Sequence, residues 1–359
     1  MITIHALEQM MKERICCDVS TELPVQLPGY PVKGTISINF IKPSCITNIS
    51  ARLLGDGEVN FTSKEHYHFY NRRVYVDETQ ELWRHSTINK MLDMQVDQNQ
   101  NSSRVLQGRF SFNFNFNLPD DCVTSFHCPN SPVSIRYMIE FRFYTGEAYA
   151  THEHGITVLA PIGVRRDSII HKSVHSKIYR FPKDREIFLE CTLDRTIFRT
   201  ADPIAAHIVV TNKWKQSLKY VHMSIVRCIT AEGYMIDNSK LLDKHTAFID
   251  TTGVGLPSSH PKIAIGETFN FCPDFNVPAL PPSMDVGMFM TASYYLKIAI
   301  GRAHNYVLAT LKIPITIVTD VLEADSMITP VSYDDMLVDL SPTVSSPATS
   351  FPQVVDLLA

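Results

Sequence analysis

Apolar and polar positions alternate along most of the chain, and the period is two. From Gly108 to Pro119 every second residue from Phe110 to Phe116 is aromatic, which places Phe110, Phe112, Phe114 and Phe116 on one face of a strand. A helix would scatter them around its axis. A second, looser copy runs from Gly266 to Pro278, with Phe269 and Phe271, and closes on Phe275-Asn276-Val277-Pro278, much as the first closes on Phe116-Asn117-Leu118-Pro119. Each copy is followed by a further alternating strand, with Ile135, Tyr137, Ile139, Phe141 and Phe143 in the first half and Tyr294, Leu296, Ile298 and Ile300 in the second. Upstream, the strand 32–40 precedes one with Ile49, Ala51 and Leu53, and the strand 204–210 precedes one with Val221, Met223 and Ile225. Val32 and Ile204 are 172 positions apart, and Pro119 and Pro278 are 159 apart. Offsets that agree to within loop variation predict two tandem β-domains.

The length supports this division, because 359 residues at roughly 150 per domain is two domains, each able to bury a core. The expected boundaries are an N-terminal β-sandwich over 1–162, a basic interdomain linker over 163–185, a C-terminal β-sandwich over 186–318 and a disordered acidic tail over 319–359. Residues 1–20 read either as a short helix or as an edge strand. The segment 77–103 is expected as a long polar surface loop, with a locally helical look from Glu78 to Trp83.

Charge sets the two connecting segments apart. The linker carries Arg165, Arg166, Lys172, Lys177, Arg180, Lys183 and Arg185 against two acids, and is a candidate anion-binding strip for acidic lipid, a phosphorylated peptide or the chain's own C-terminus. Its alternative reading is a solvated connector. Residues 319–359 hold seven acids and no Lys or Arg, so with a formal charge of -4 for the whole chain the first 318 residues carry +3. The tail is rich in Ser, Thr, Pro and Val without sustained periodicity, a composition that predicts disorder.

Several function classes find no support. The longest apolar uncharged run, from Val286 to Leu296, is too short to cross a bilayer. Glu8, Lys12, Glu13 and Arg14 break any signal-peptide pattern, so a cytosolic chain with reduced thiols is expected. Its eight cysteines form no Cys-x-x-Cys pair; the adjacent Cys16 and Cys17 are a weak candidate for redox or acylation chemistry. Neither a G-x-S-x-G elbow, a phosphate-binding loop nor an H-E-x-x-H helix occurs, so no catalytic residues and no cofactor are expected. His66 with His68, and His152 with His154, are spaced to share a strand face, but two ligands are half a metal site. No nucleic-acid partner is expected.

The tail offers peptide motifs. Pro330 and Tyr333, with Asp334 and Asp335 behind them, outline a P-P-x-Y peptide whose second proline is replaced by Val331, which removes a stacking ring and some preorganisation toward a WW-type groove. Residues 337–340 and 355–358 are acidic-aliphatic tetrads of the kind that clathrin and adaptor coats recognise. Thr329, Ser341 and Ser346 each precede proline and are candidate phosphosites.

Taken together, the turn Pro28-Gly29-Tyr30-Pro31-Val32-Lys33-Gly34, the block Gly108 to Pro119 with Ser125-Phe126 and Ile135-Arg136-Tyr137, the run Leu193 to Phe198 with Val210-Thr211-Asn212, and the closing Val277-Pro278-Ala279-Leu280-Pro281-Pro282-Ser283 with Ile313-Pro314-Ile315 resemble the arrestin-domain family, in its α-arrestin branch. The resemblance spans about residues 23–318. It implies an all-β fold of two immunoglobulin-like antiparallel sandwiches, and a non-enzymatic cytosolic adaptor recruited to plasma membrane or endosomes. The implied partners are cytoplasmic regions of membrane proteins, WW-domain HECT ubiquitin ligases or coats. A retromer-type subunit is the alternative, and a metal-dependent sandwich around the His pairs is a more distant one. Two departures stand out: the tail motif has Val331 in place of the second proline of a ligase-recruiting peptide, and Phe198-Arg199-Thr200-Ala201-Asp202-Pro203 lacks the family's usual turn glycine.

Overall fold

The computed structural model describes residues 14–84, 104–145, 148–165 and 172–322. The first half contributes β1 (Ile15–Thr21), β2 (Val25–Gln26), β3 (Pro31–Ile46), β4 (Asn48–Thr62), β5 (His68–Arg84), β6 (Arg104–Asn117), β7 (Val133–Thr145) and β8 (Ala148–Val158). Two short connecting strands flank the second half, β9 (Gly163–Arg165) and, at its end, β20 (Asp320–Leu322). Between them lie β10 (Ser173–Phe181), β11 (Arg185–Leu193), β12 (Ile197–Arg199), β13 (Ala206–Lys213), β14 (Tyr220–Met235), β15 (Asn238–Gly255), β16 (Thr268–Phe271), β17 (Met284–Asp285), β18 (Met290–Ala303) and β19 (Tyr306–Val318). No helix occurs among the described residues. The fold is all-β, as the period-two pattern requires.

Each half is a sandwich. In the first, a sheet of order β1-β3-β6 faces one of order β5-β4-β7-β8-β2; in the second, β10-β11-β13-β16 faces β12-β19-β18-β14, with β15 on the free side of β14. The aromatic strands occupy equivalent places. In β6, Phe112 lies opposite Ile36 and Phe114 opposite Gly34 of β3, and Phe114 and Phe116 are buried in the first core. In β16, Phe269 and Phe271 lie opposite Val210 and Ile208 of β13 and pack against the second. The duplication read from the sequence is therefore a duplication of pairing.

Pro28 and Gly29 form the turn that starts β3. Gly29 has φ +80°, closing a turn in which the Tyr30 amide donates to Leu27 O at 3.2 Å, and an added Cβ would meet Asp120 Oδ1 at 2.1 Å. The positive φ favours glycine there, and any side chain would also have to displace the Asp120 carboxylate.

Three expectations change. Of the N-terminal segment, Ile15–Thr21 is an edge strand antiparallel to β3, and residues 1–13 lie outside the described residues. Residues 77–84, expected in a surface loop, complete β5: Asp77 pairs with Leu54 and Trp83 with Ile49 of β4, and Arg52 bonds Asp77 at 2.6 and 2.7 Å. A ladder partner overrides the helical look of 78–83. The remainder of that segment, 85–103, lies outside the described residues. Within 163–185, residues 173–181 form β10, paired with β11 along its whole length, and Tyr179 and Phe181 pack on the second core.

Candidate interaction surface

The two sandwiches share a ladder. At the end of β14, Tyr234 pairs with Tyr70 and Met235 with Phe69 of β5, and the Ile236 amide donates to His68 O at 3.0 Å. Through this junction one sheet runs from the first domain into the second. Asn71 Nδ2 donates to Glu232 O at 3.2 Å, and the Glu232 amide to Phe289 O at 3.0 Å. Ile229, Ala231, Phe289, Met290 and Ala292 of the second half belong to the hydrophobic core of the first. Burial of these groups across the seam is the main force holding the domains together.

Gly233 makes the close approach possible. A Cβ there would lie 3.1 Å from Phe61 Cε1 and 3.2 Å from Phe69 Cβ. Phe61 stacks on Phe69 at 5.1 Å and on His245 of β15 at 5.3 Å, so an aromatic pair from the first domain sits between Gly233 and His245 of the second. Farther along, the guanidinium carbon of the buried Arg227 lies 6.0 Å from the centre of the Phe126 ring, and its Nε has no hydrogen-bond partner among the described residues. Tyr294, opposite Arg227 on β18, donates to Pro281 O at 2.7 Å; burial raises its phenol to about 12.

On the other face of the junction the side chains look outward. Tyr70 pairs with Tyr234, which pairs with Leu242 of β15, so the three form one cross-strand row; all are exposed, at 37%, 38% and 37%. Tyr67, Ile236 (66% exposed) and Leu241 are exposed beside this row on the two hairpin ends. A cluster of outward aromatic and aliphatic residues drawn from both domains has the composition of a binding surface. Sequence reasoning missed it, because the row exists only once β5 meets β14; the visible signal was the pair of apolar steps, Tyr234-Met235-Ile236 and Leu241-Leu242, around a polar turn.

The sequence-predicted sites are placed unevenly. Lys177 and Arg180 lie on β10 and point to opposite faces: Lys177 Nζ sits 5.0 Å over the Tyr179 ring, whereas Arg180 lies opposite Glu186, itself bonded to Lys213 at 2.7 Å. Glu186 is held below the usual carboxylate range, chiefly by its hydrogen bond from Lys213. Lys172 precedes the strand, and Lys183 and Arg185 lie at its hairpin, where Lys183 has φ +67°. Arg165 ends β9. Arg166, Thr329, Pro330, Tyr333, Ser341 and Ser346 lie outside the described residues.

Among the described residues no group of three or more His, Cys, Asp or Glu side chains could hold a metal ion. His68 Nδ1 is 3.1 Å from Thr62 Oγ1 while His66 is exposed in the turn before it, and His152 and His154 are half-buried on β8, with His152 6.5 Å from Phe141. The described cysteines are free; Cys122, Cys128 and Cys191 are buried, and burial pushes the Cys17 and Cys191 thiols up to about 12. No helix of the described residues is long and apolar enough to cross a membrane.

Two sandwiches sharing one sheet, each opened by a turn into the strand that pairs with its Phe-rich strand, define the arrestin architecture. The chain matches "Arrestin (or S-antigen), N-terminal domain" over residues 16–165 and "Arrestin (or S-antigen), C-terminal domain" over 183–320. It is 38% identical to "Protein ttm-2" of Caenorhabditis elegans, across 97% of this chain and the whole of that protein. The chain belongs to the arrestin family.

Proposed function

We propose that this arrestin-family protein is a non-enzymatic adaptor of the α-arrestin kind, which binds cytoplasmic regions of membrane proteins and couples them to endocytic or endosomal sorting. The observation that carries the reading is the exposed row Tyr70, Tyr234 and Leu242, contributed by both domains and lying across the ladder that joins them. A peptide or loop laid there contacts both sandwiches at once and buries apolar surface that otherwise faces water. The tail supplies the second connection: its acidic-aliphatic tetrads suit coat proteins, and Pro330 and Tyr333 suit a WW-type groove on a HECT ubiquitin ligase less well than an intact motif would. The protein works in the cytoplasm and is recruited to plasma membrane or endosomes by its cargo, and acidic lipid assists through the basic strip.

The test is proximity labelling in cells with the parent chain and with Tyr70→Ser/Tyr234→Ser/Leu242→Ser. The parent is expected to label membrane proteins together with coat or ligase components, and the triple variant to lose the membrane proteins. The row is exposed, so folding stability should stay within about 1 kcal/mol. A parent that labels no membrane protein, or a folded triple variant that labels the same set, overturns the reading.

A further inference from the structure

The second domain's four-stranded sheet ends on β10, which among the described residues is paired on one side only. A long unpaired edge is a template for another strand, and proteins normally cover it or blunt it with charge. This edge is blunted by cations alone. Residues 172–181 contain Lys172, Lys177 and Arg180 and no acid, and Val174 and Ile178 are exposed at 59% and 46%. Self-pairing of two such edges brings like charges together, so a second copy is a poor occupant and an acidic strand a good one.

The position of β20 names that strand. β20 runs parallel to β9, with Asp320 opposite Gly163 and Leu322 opposite Arg165, and Thr319 Oγ1 accepts from the Ile162 amide at 2.6 Å. The chain that leads to β10 and the chain that leads to the C-terminus thus leave this ladder side by side and in the same direction. Beyond Leu322 there are 37 residues, acidic and without Lys or Arg. From Arg165 the strand β10 begins eight positions on, and the same eight positions from Leu322 reach Pro330.

We propose that residues 330–338 of this chain add a parallel strand to the free edge of β10. In the register inherited from β9 and β20, Val331 lies opposite Val174, Asp334 opposite Lys177, Met336 opposite Tyr179 and Val338 opposite Phe181; Asp335 falls opposite Ile178 and Leu337 opposite Arg180, one step from the cations and the apolar positions they would match. Pro330 takes the first position, where a strand tolerates the loss of an amide donor. Parallel pairs are slightly weaker than antiparallel ones, and the charge match and the short tether supply what the ladder lacks. The docked strand covers Tyr333, so the tail peptide and a WW-type groove compete for the same residues. This inference is independent of the adaptor reading, since its test uses the purified protein alone.

The experiment is amide hydrogen exchange on the full chain, on a truncation after Leu322, and on the full chain with Asp334→Lys/Asp335→Lys. In the full chain at low salt, amides of 173–181 are expected to exchange about tenfold more slowly than in the truncation, and charge reversal in the tail or high salt is expected to remove most of that difference. A synthetic peptide of residues 326–342, added to the truncation at millimolar concentration, should restore the slow exchange. Equal exchange with and without the tail overturns the proposal. So does protection that survives truncation and rises with protein concentration, which would place a second copy on the edge.

Discussion

Ala201 in the second sandwich occupies the place that Gly29 occupies in the first. The two are 172 positions apart, the offset that also relates Ile204 to Val32. Both have positive φ, +68° and +80°, and both donate their amide to the residue before the repeated proline, Val277 O and Leu118 O, each at 2.9 Å. Their neighbours repeat too, with the Val277 amide donating to Asp202 O and the Leu118 amide to Tyr30 O. A side chain in the left-handed region costs about 1–2 kcal/mol, and glycine returns part of that through the flexibility of the unfolded chain. Ala201→Gly is therefore expected to stabilise the protein by up to about 1 kcal/mol, read as a rise in denaturant midpoint with unchanged slope. A fall in midpoint would show that the turn is relaxed as it stands.

Arg227 sets a second expectation. It is buried at the seam against Phe126, and its Nε lacks a partner among the described residues. The cation–ring contact is worth about 2 kcal/mol when desolvated, while removing a guanidinium from water costs several. Arg227→Met, of similar length and without charge, should raise stability by about 1–2 kcal/mol in thermal unfolding. Phe126→Ala should lower it by about 3–5 kcal/mol, because its ring is fully buried. Destabilisation by Arg227→Met would mean that the charge contributes more than its burial costs.

At Gly233 the space is already filled by Phe61 and Phe69. Gly233→Val should cost about 1–3 kcal/mol through overpacking. The accompanying signature is local: faster hydrogen exchange at 68–70 and 234–236, where the domains share their ladder. Uniformly faster exchange without a focus there would argue against a strained seam.

Burial lowers the pKa of His152, His154 and His222; for His154 the neighbouring His152 adds to it. An unfolded histidine takes up its proton near pH 6.5, and these rings hold out to lower pH. The unfolded state thus binds more protons in that window. Stability is full above about pH 6.5 and is lost as the pH falls through the folded values. Thermal midpoints should decline from pH 7 to pH 5, and His152→Phe should flatten part of that decline. A slope identical in the variant removes His152 from the account.

The sequence carried the architecture where local pattern and tertiary role coincide. Phe114 and Phe116 alternate because one face of β6 meets the core, and the turn at Ala201 was conspicuous for its missing glycine. It was less readable where a partner decides. Glu78 to Trp83 has helical composition, yet β4 recruits it into a ladder, and Gln80 and Glu78 then accept from the Asn115 and Asn117 amides of β6. Around β10 the basic residues drew attention to solvent, although Tyr179 and Phe181 already showed the alternation of a half-buried strand. The exposed row at the domain junction has only half a local signature, the apolar steps 234–236 and 241–242, because Tyr70 joins it from 164 positions away.

The ladder between the domains is short, with two residue pairs joining Phe69 and Tyr70 to Tyr234 and Met235. Any twist of one sandwich against the other is concentrated there, as a load is concentrated at a weld. A molecule bound across Tyr70 and Tyr234 splints that weld, so occupancy and interdomain stiffness are coupled without either domain changing its fold.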